Sequence, residues 1–308
     1  MRIIAGFSLC LIPLLLSAQS TVAALPPVAA VTAPGSVDPQ DYVCPMDADQ
    51  RSDKPDTCKR CGMKMVLGIP DQVEYPLEVT TRPAMIQPGQ KIQLKFTIHD
   101  PKTYAVVKNF EIVHERLFHL FIVSSDLKYF LHDHPIPQAD GTFLFDAVFP
   151  KAGMYRVVAD VYPRGGTPQL IARTVFAEGS SAAPVSLADA VLEPDTGLQH
   201  GANTDVELEM VPPQPVSGTK TLMFFHFKQA EGMEKWLGAW AHMIAASDDT
   251  IDMVHEHPFI ADGGPQMQFN MIFPRAKTYR VWVQFQRKGV LNTVAFNIPV
   301  VDLDHAPQ

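Results

Sequence analysis

The chain has 308 residues, of which 46% are apolar and 19% charged, and a formal net charge of −8. This length supplies core for two ordinary domains plus smaller pieces, while the acidic balance leaves no basic stripe to neutralise phosphates and excludes nucleic-acid binding. Twenty-seven prolines suit β-sandwiches joined by linkers better than helical bundles.

Residues 1–24 read as a secretory signal. Arg2 is the sole charge, an apolar run covers residues 3–16, and small residues follow. About 14 apolar residues are too few to span a bilayer comfortably, and no later stretch is apolar enough to cross one. The expectation is an exported chain, periplasmic or secreted, with no membrane span after signal removal. Residues 25–40, rich in Pro, Ala and Val, read as a semi-rigid spacer.

Residues 41–69 contain Cys44, Cys58 and Cys61, the three cysteines of the mature chain. Cys58-x2-Cys61-Gly62 is a knuckle in which glycine lets backbone amides turn towards the sulfurs, and Cys44 offers a third thiolate. A disulfide with one cysteine left over is the alternative in an oxidising compartment. The odd count and the nearby Met46, Met63 and Met65 fit a soft-metal site better. The segment resembles the small heavy-metal-binding domain of bacterial metal-efflux proteins, matching its pattern at Tyr42, Cys44, Pro45, Met46, Ser52, Asp53, Lys54, Pro55, Cys58, Cys61, Gly62 and Met63. Asp47 and Ala48 stand where that family usually has His-Pro. The resemblance implies metal handling by the cysteines and Met46.

Residues 73–178 form the first large unit. Ile92, Leu94, Phe96 and Ile98 alternate with Gln93, Lys95, Thr97 and His99, a half-buried strand that puts His99 on the surface with the polar set. His119 is followed after 13 and 15 residues by His132 and His134, then Pro135. Residues 118–123 and 129–134 are β-formers separated by Ser-Asp. A two-residue loop at Ser125 and Asp126 would pair His119 with His132. Because side chains alternate faces, His132 and His134 point one way and Asp133 the other. Further strands are expected at 141–149, 155–162 and 171–176, and no amphipathic helix. Seven or so short strands in about 100 residues indicate an antiparallel sandwich.

Residues 179–202 read as a linker, 203–301 as a second sandwich and 302–308 as a tail. The second unit repeats the first: His242, His255, His257 and Pro258 recur at the same spacing, and the stretch from Phe149 through Tyr155 and Arg156 is echoed by Phe273, Tyr279 and Arg280. The fold expected is mainly β: a small Cys-rich knuckle, then two tandem antiparallel β-sandwiches of immunoglobulin or cupredoxin type. The pair is similar to exported bacterial sandwich modules with a His-x12-His-x-His-Pro pattern, often found beside heavy-metal-binding domains.

Two triads, His119/His132/His134 and His242/His255/His257, thus join Cys44, Cys58, Cys61 and Met46 as candidate metal ligands. Imidazole is the commonest protein metal ligand, and three imidazoles suit Zn(II) or Cu(II). A blue-copper site is excluded in either sandwich, since neither contains a cysteine. His114 and Glu115 are possible extra ligands, although Leu237 stands at the matching position of the second copy. The reading preferred is a metal-binding protein that sequesters or relays copper or zinc, handing it to an efflux adaptor or another periplasmic carrier. A metallo-hydrolase or oxidase built on the triads, and an interaction module docking an efflux assembly, are the alternatives. No convincing catalytic constellation is present.

Overall fold

The computed structural model describes residues 41–43, 50–60, 62, 64–68, 73–164, 166–179 and 190–305. The signal and spacer segments fall outside these residues. Within them the chain is almost wholly β, its one helical element being the 3-10 turn Leu303–His305.

The N-terminal piece is a three-stranded sheet of β1 (Asp41–Val43), β2 (Arg51–Ser52) and β3 (Val66–Gly68), ordered β2-β1-β3. The Gly62 amide donates to the Cys58 carbonyl at 2.9 Å, and Gly62 has φ +76°, a left-handed turn that favours glycine. The knuckle therefore closes on the backbone of Cys58, whose side chain is buried.

The first sandwich contains β4 (Leu77–Arg82), β5 (Lys91–Ile98), β6 (Phe118–Ser124), β7 (Phe130–Asp133), β8 (Ile136–Pro137), β9 (Phe143–Val148), β10 (Gly153–Val161) and β11 (Gln169–Ala177). Its two antiparallel sheets are ordered β4-β5-β9-β8 and β11-β10-β6-β7. Leu94, Phe96, Phe118, Leu120, Phe143 and Val157 fill the space between them. The second sandwich repeats this plan with β12 (Gln199–His200), β13 (Asp205–Val211), β14 (Lys220–Phe227), β15 (Met233–Glu234), β16 (His242–Ser247), β17 (Met253–Glu256), β18 (Gln266–Ile272), β19 (Thr278–Arg287) and β20 (Val290–Pro299). One sheet runs β12-β13-β14-β18. In the other, β19 lies between β16, which carries β17 on its far side, and the strands β15 and β20. Strand β12 pairs with β13, so the stretch expected as linker already contributes a strand.

His99 corrects the sequence reading. It is buried rather than exposed, because the loop after β5 folds over it: the ring stacks on Tyr104 at 4.3 Å and its Nδ1 lies 3.0 Å from the Tyr104 carbonyl.

Strands β6 and β16 are buried along their whole length. Phe118, Leu120 and Ile122 enter the first core, whereas Phe121 and Val123 join a third cluster with Leu127, Val158, Ile244, Ala246 and Trp282. That third cluster packs the two sandwiches against each other, and the Phe130 and Trp282 rings stack across it at 4.8 Å. Burial on both faces is why residues 120–123 and 243–246 of these strands are continuously apolar rather than alternating.

A seven-histidine candidate metal centre between the sandwiches

The hairpin register differs from the expected one by two residues. Phe121 pairs with His132, Ile122 with Leu131 and Val123 with Phe130, and in the second copy Ile244 pairs with His255. The reason lies in the loop. Leu127 is buried and takes a left-handed backbone (φ +53°), its amide donates to the Ser124 carbonyl, and Ser124 Oγ donates to Asp126, so the turn needs four residues instead of two. Thr250 repeats the conformation at φ +55°. A slip of two residues preserves the face each side chain occupies, and the three histidines of each hairpin still converge.

In the first triad, His119 Nδ1 lies 3.2 Å from His132 Nε2 and 3.2 Å from His134 Nε2. In the second, His257 Nε2 lies 3.0 Å from His242 Nδ1. Within each triad the candidate ligand nitrogens all fall within 4.8 Å of one another. Two nitrogens bound about 2.0–2.1 Å from a tetrahedral zinc stand about 3.3 Å apart, so this spacing fits a shared cation.

The outer hydrogen bonds fix which nitrogen carries each proton. His119 Nε2 faces the Val113 carbonyl at 3.0 Å and His242 Nε2 faces the Trp236 carbonyl at 3.1 Å. A carbonyl only accepts, so both rings hold their proton on Nε2 and turn a bare Nδ1 inward. His132 Nδ1 donates to Gln284 Oε1 at 2.8 Å, and the Gln284 amide is oriented by its Nε2 donating to Thr293 Oγ1. His255 Nδ1 donates to Asp160 Oδ2 at 2.6 Å. The Nε2 atoms of His132 and His255 are therefore bare as well, and that of His255 is buried without any partner. At His119 and His132 two lone pairs face each other at 3.2 Å, an arrangement that a cation relieves. Donating the second ring nitrogen to a carbonyl or carboxylate is the usual support of a metal-ligating histidine.

The two side-chain supports cross between the sandwiches. Asp160 sits beside His119 in the β6–β10 pairing but holds His255 of the other unit. Gln284 sits beside His242 in the β16–β19 pairing but holds His132. The two triads therefore adjoin, with ring centroids 6.0 Å apart for His119 and His242 and 5.4 Å for His132 and His242. The turn at His114 and Glu115, both left-handed, brings the His114 ring onto His257 at 3.6 Å. The matching turn of the second unit, at Leu237 and Gly238, brings Trp236 against His132 at 5.3 Å. His114 is thus the seventh histidine, roofing the opposite triad rather than its own.

Burial keeps the rings neutral. It pushes His134 and His242 down to about 3 and His132, His255 and His257 further, with repulsion between rings adding to the effect; His119 and His114 are also lowered. Asp160 is raised to about 6 by burial, against the pull of His119 and His114. Neutral imidazoles with inward lone pairs can bind a borderline cation without first losing protons. Asp133 is exposed and outside the cluster, as the alternation required.

Cys44, Cys61, Met46 and Met63 lie outside the described residues, so the geometry of the thiolate set rests on Cys58 alone. The residues that sequence reasoning missed are Asp160 and Gln284. Their one signal was position, since Asp160 on β10 and Gln284 on β19 stand at matching points of the repeat, five residues after Tyr155 and Tyr279.

The family described as "Domain of unknown function (DUF8832)" matches at residues 71–179 and again at 200–302. The chain belongs to this family. Its two DUF8832 copies correspond to the two sandwiches, and the heavy metal binding domain family matches residues 42–66 ahead of them. No curated protein matches the sequence. Similar solved structures include FdeC, an Escherichia coli adhesin (11% identity, TM-score 0.25, covering 77% of this chain and 67% of that one). The FN1–FN3 domains of chicken CNTN1 (9%, 0.21, 76% and 70%) and Salmonella alpha-2-macroglobulin reacted with methylamine (11%, 0.24, 76% and 15%) are also similar. Such slight likenesses carry no functional argument, and the sandwich fold rests on the strand pairing itself.

Proposed function

We propose that this chain is an exported metal-binding protein that sequesters or relays copper or zinc in metal homeostasis or resistance. The observation that carries the reading is the set of bare, inward-facing nitrogens of His119, His132, His242 and His255, each of these four rings fixed by a hydrogen bond on its outer side, with His134 and His257 completing the triads. The match of residues 42–66 to a heavy metal binding domain supports a second, thiolate-rich site at Cys44, Cys58, Cys61 and Met46. Export rests on the Arg2-led apolar segment of residues 3–16, and handover to an efflux adaptor or another periplasmic carrier follows from pairing a soft small site with a histidine store. Imidazole favours Zn(II) or Cu(II), whereas thiolate with methionine favours Cu(I).

The test is metal content after exposure to Zn(II) and, separately, to Cu(I), in the mature protein and two variants. Changing His119, His132 and His134 to Ala should lower zinc content, and changing Cys58 and Cys61 to Ser should lower Cu(I) content. Unchanged stoichiometry in both variants would overturn the proposal.

A further inference from the structure

The two triads are joined so closely that they constitute one site, and the joint is uneven. Each triad's second histidine is oriented by the other sandwich, so neither triad is complete without both units. The orienting residues occupy matching points of the repeat yet differ in charge: Asp160 is a half-buried carboxylate 2.6 Å from His255, whereas Gln284 is a neutral amide 2.8 Å from His132. His255 Nε2, buried and partnerless, points the carboxylate-backed ring's lone pair into the cluster. Between the triads the rings of His119, His132, His242 and His255 approach within 5.4–6.1 Å.

We propose that the six histidines form a single dinuclear centre for borderline divalent cations with unequal halves. The triad of His242, His255 and His257, backed by Asp160, takes the first ion; the triad of His119, His132 and His134, backed by Gln284, takes the second more weakly. This rests on the reading that the triads bind metal. A carboxylate behind an imidazole raises its basicity and adds a compensating negative charge, and such partners change metal affinity about 10–100-fold. The first cation then repels the second inside a poorly solvated interface, which widens the gap between the two steps.

The test uses the full chain carrying Cys44→Ser, Cys58→Ser and Cys61→Ser, so that the thiolates do not contribute. Titration with Zn(II) against a competing chelator should show two equivalents taken up in two steps. Asp160→Asn should weaken the first step about 10–100-fold and leave the second near its original value. Gln284→Glu should instead tighten the second step, a gain that misfolding cannot produce. With Cu(II), one equivalent should give the paramagnetic resonance of an isolated ion, and two equivalents a spin-coupled pair. Two equal steps insensitive to both substitutions, or two uncoupled Cu(II) ions, would overturn the inference. One ion held by the six histidines would overturn it while leaving metal binding intact. Uptake unaffected by replacing the histidines would overturn the underlying reading instead.

Discussion

Individual histidines in this chain are governed by their hydrogen-bond partners more than by their neighbours in sequence. His132 and His134 share a strand face for simple periodic reasons, but the inward lone pairs depend on Val113, Trp236, Gln284 and Asp160, which no local pattern picks out. The triads themselves were legible as a repeated spacing, and their supports were not, because those come from turns and from the opposite sandwich. Burial has a consequence for pH. His242 titrates at about 3 when folded but near 6.5 when unfolded. Between those values the unfolded chain binds more protons, so stability is full above about 6.5 and is lost as pH falls towards 3. Each pH unit in that window costs about 1.4 kcal/mol for this residue alone. Metal-free protein in chelator should therefore melt several degrees lower at pH 5.5 than at pH 7.5, and a melting temperature flat across that range would contradict the assigned burial.

At the scale of elements, the hairpins show what periodicity can and cannot deliver. The strands β6, β7, β16 and β17 fall where the apolar runs placed them, yet their register is set by a four-residue turn built on Leu127 or Thr250. A buried residue in a left-handed conformation is invisible to a turn signal read from Ser-Asp alone. The second hairpin's turn is further pinned by Arg275, whose Nη1 and Nη2 donate to Asp249 while Nε donates to Asp252, each at 2.9 Å. The guanidinium and the Ser247 hydroxyl hold the Asp249 carboxyl far below its usual range despite burial. That contribution is present above about 3.8 and is lost as pH falls. Arg275→Ala should destabilise the protein by about 1–3 kcal/mol at neutral pH, since it removes the bidentate partner of a carboxylate that is only 10% exposed and leaves it Lys277 as its remaining cation. Urea unfolding checks this, and a change below about 0.5 kcal/mol would show the pair to be incidental.

At the largest scale, the two sandwiches appose sheets that share an apolar patch on one side and a histidine cluster on the other. Continuous apolar runs in β6 and β16 were legible as strands, but the second buried face was not, because a run of this kind fits any buried strand. Trp282, stacked on Phe130, anchors the patch. Trp282→Ala should cost about 3–5 kcal/mol and should also weaken zinc binding, although Trp282 itself belongs to neither triad. A destabilised variant with undiminished zinc affinity would mean that the cluster assembles without the patch. Conversely, zinc at about 100 times its dissociation constant should stabilise the intact protein by about 2.7 kcal/mol, measured as a rise in melting temperature.

Whether imidazoles from both sandwiches hold the metal is read out by X-ray absorption on the zinc-loaded, cysteine-free chain. A nitrogen shell at about 2.0–2.1 Å with the outer scattering of three imidazoles per zinc is expected. A shell of oxygen ligands without imidazole scattering would contradict it.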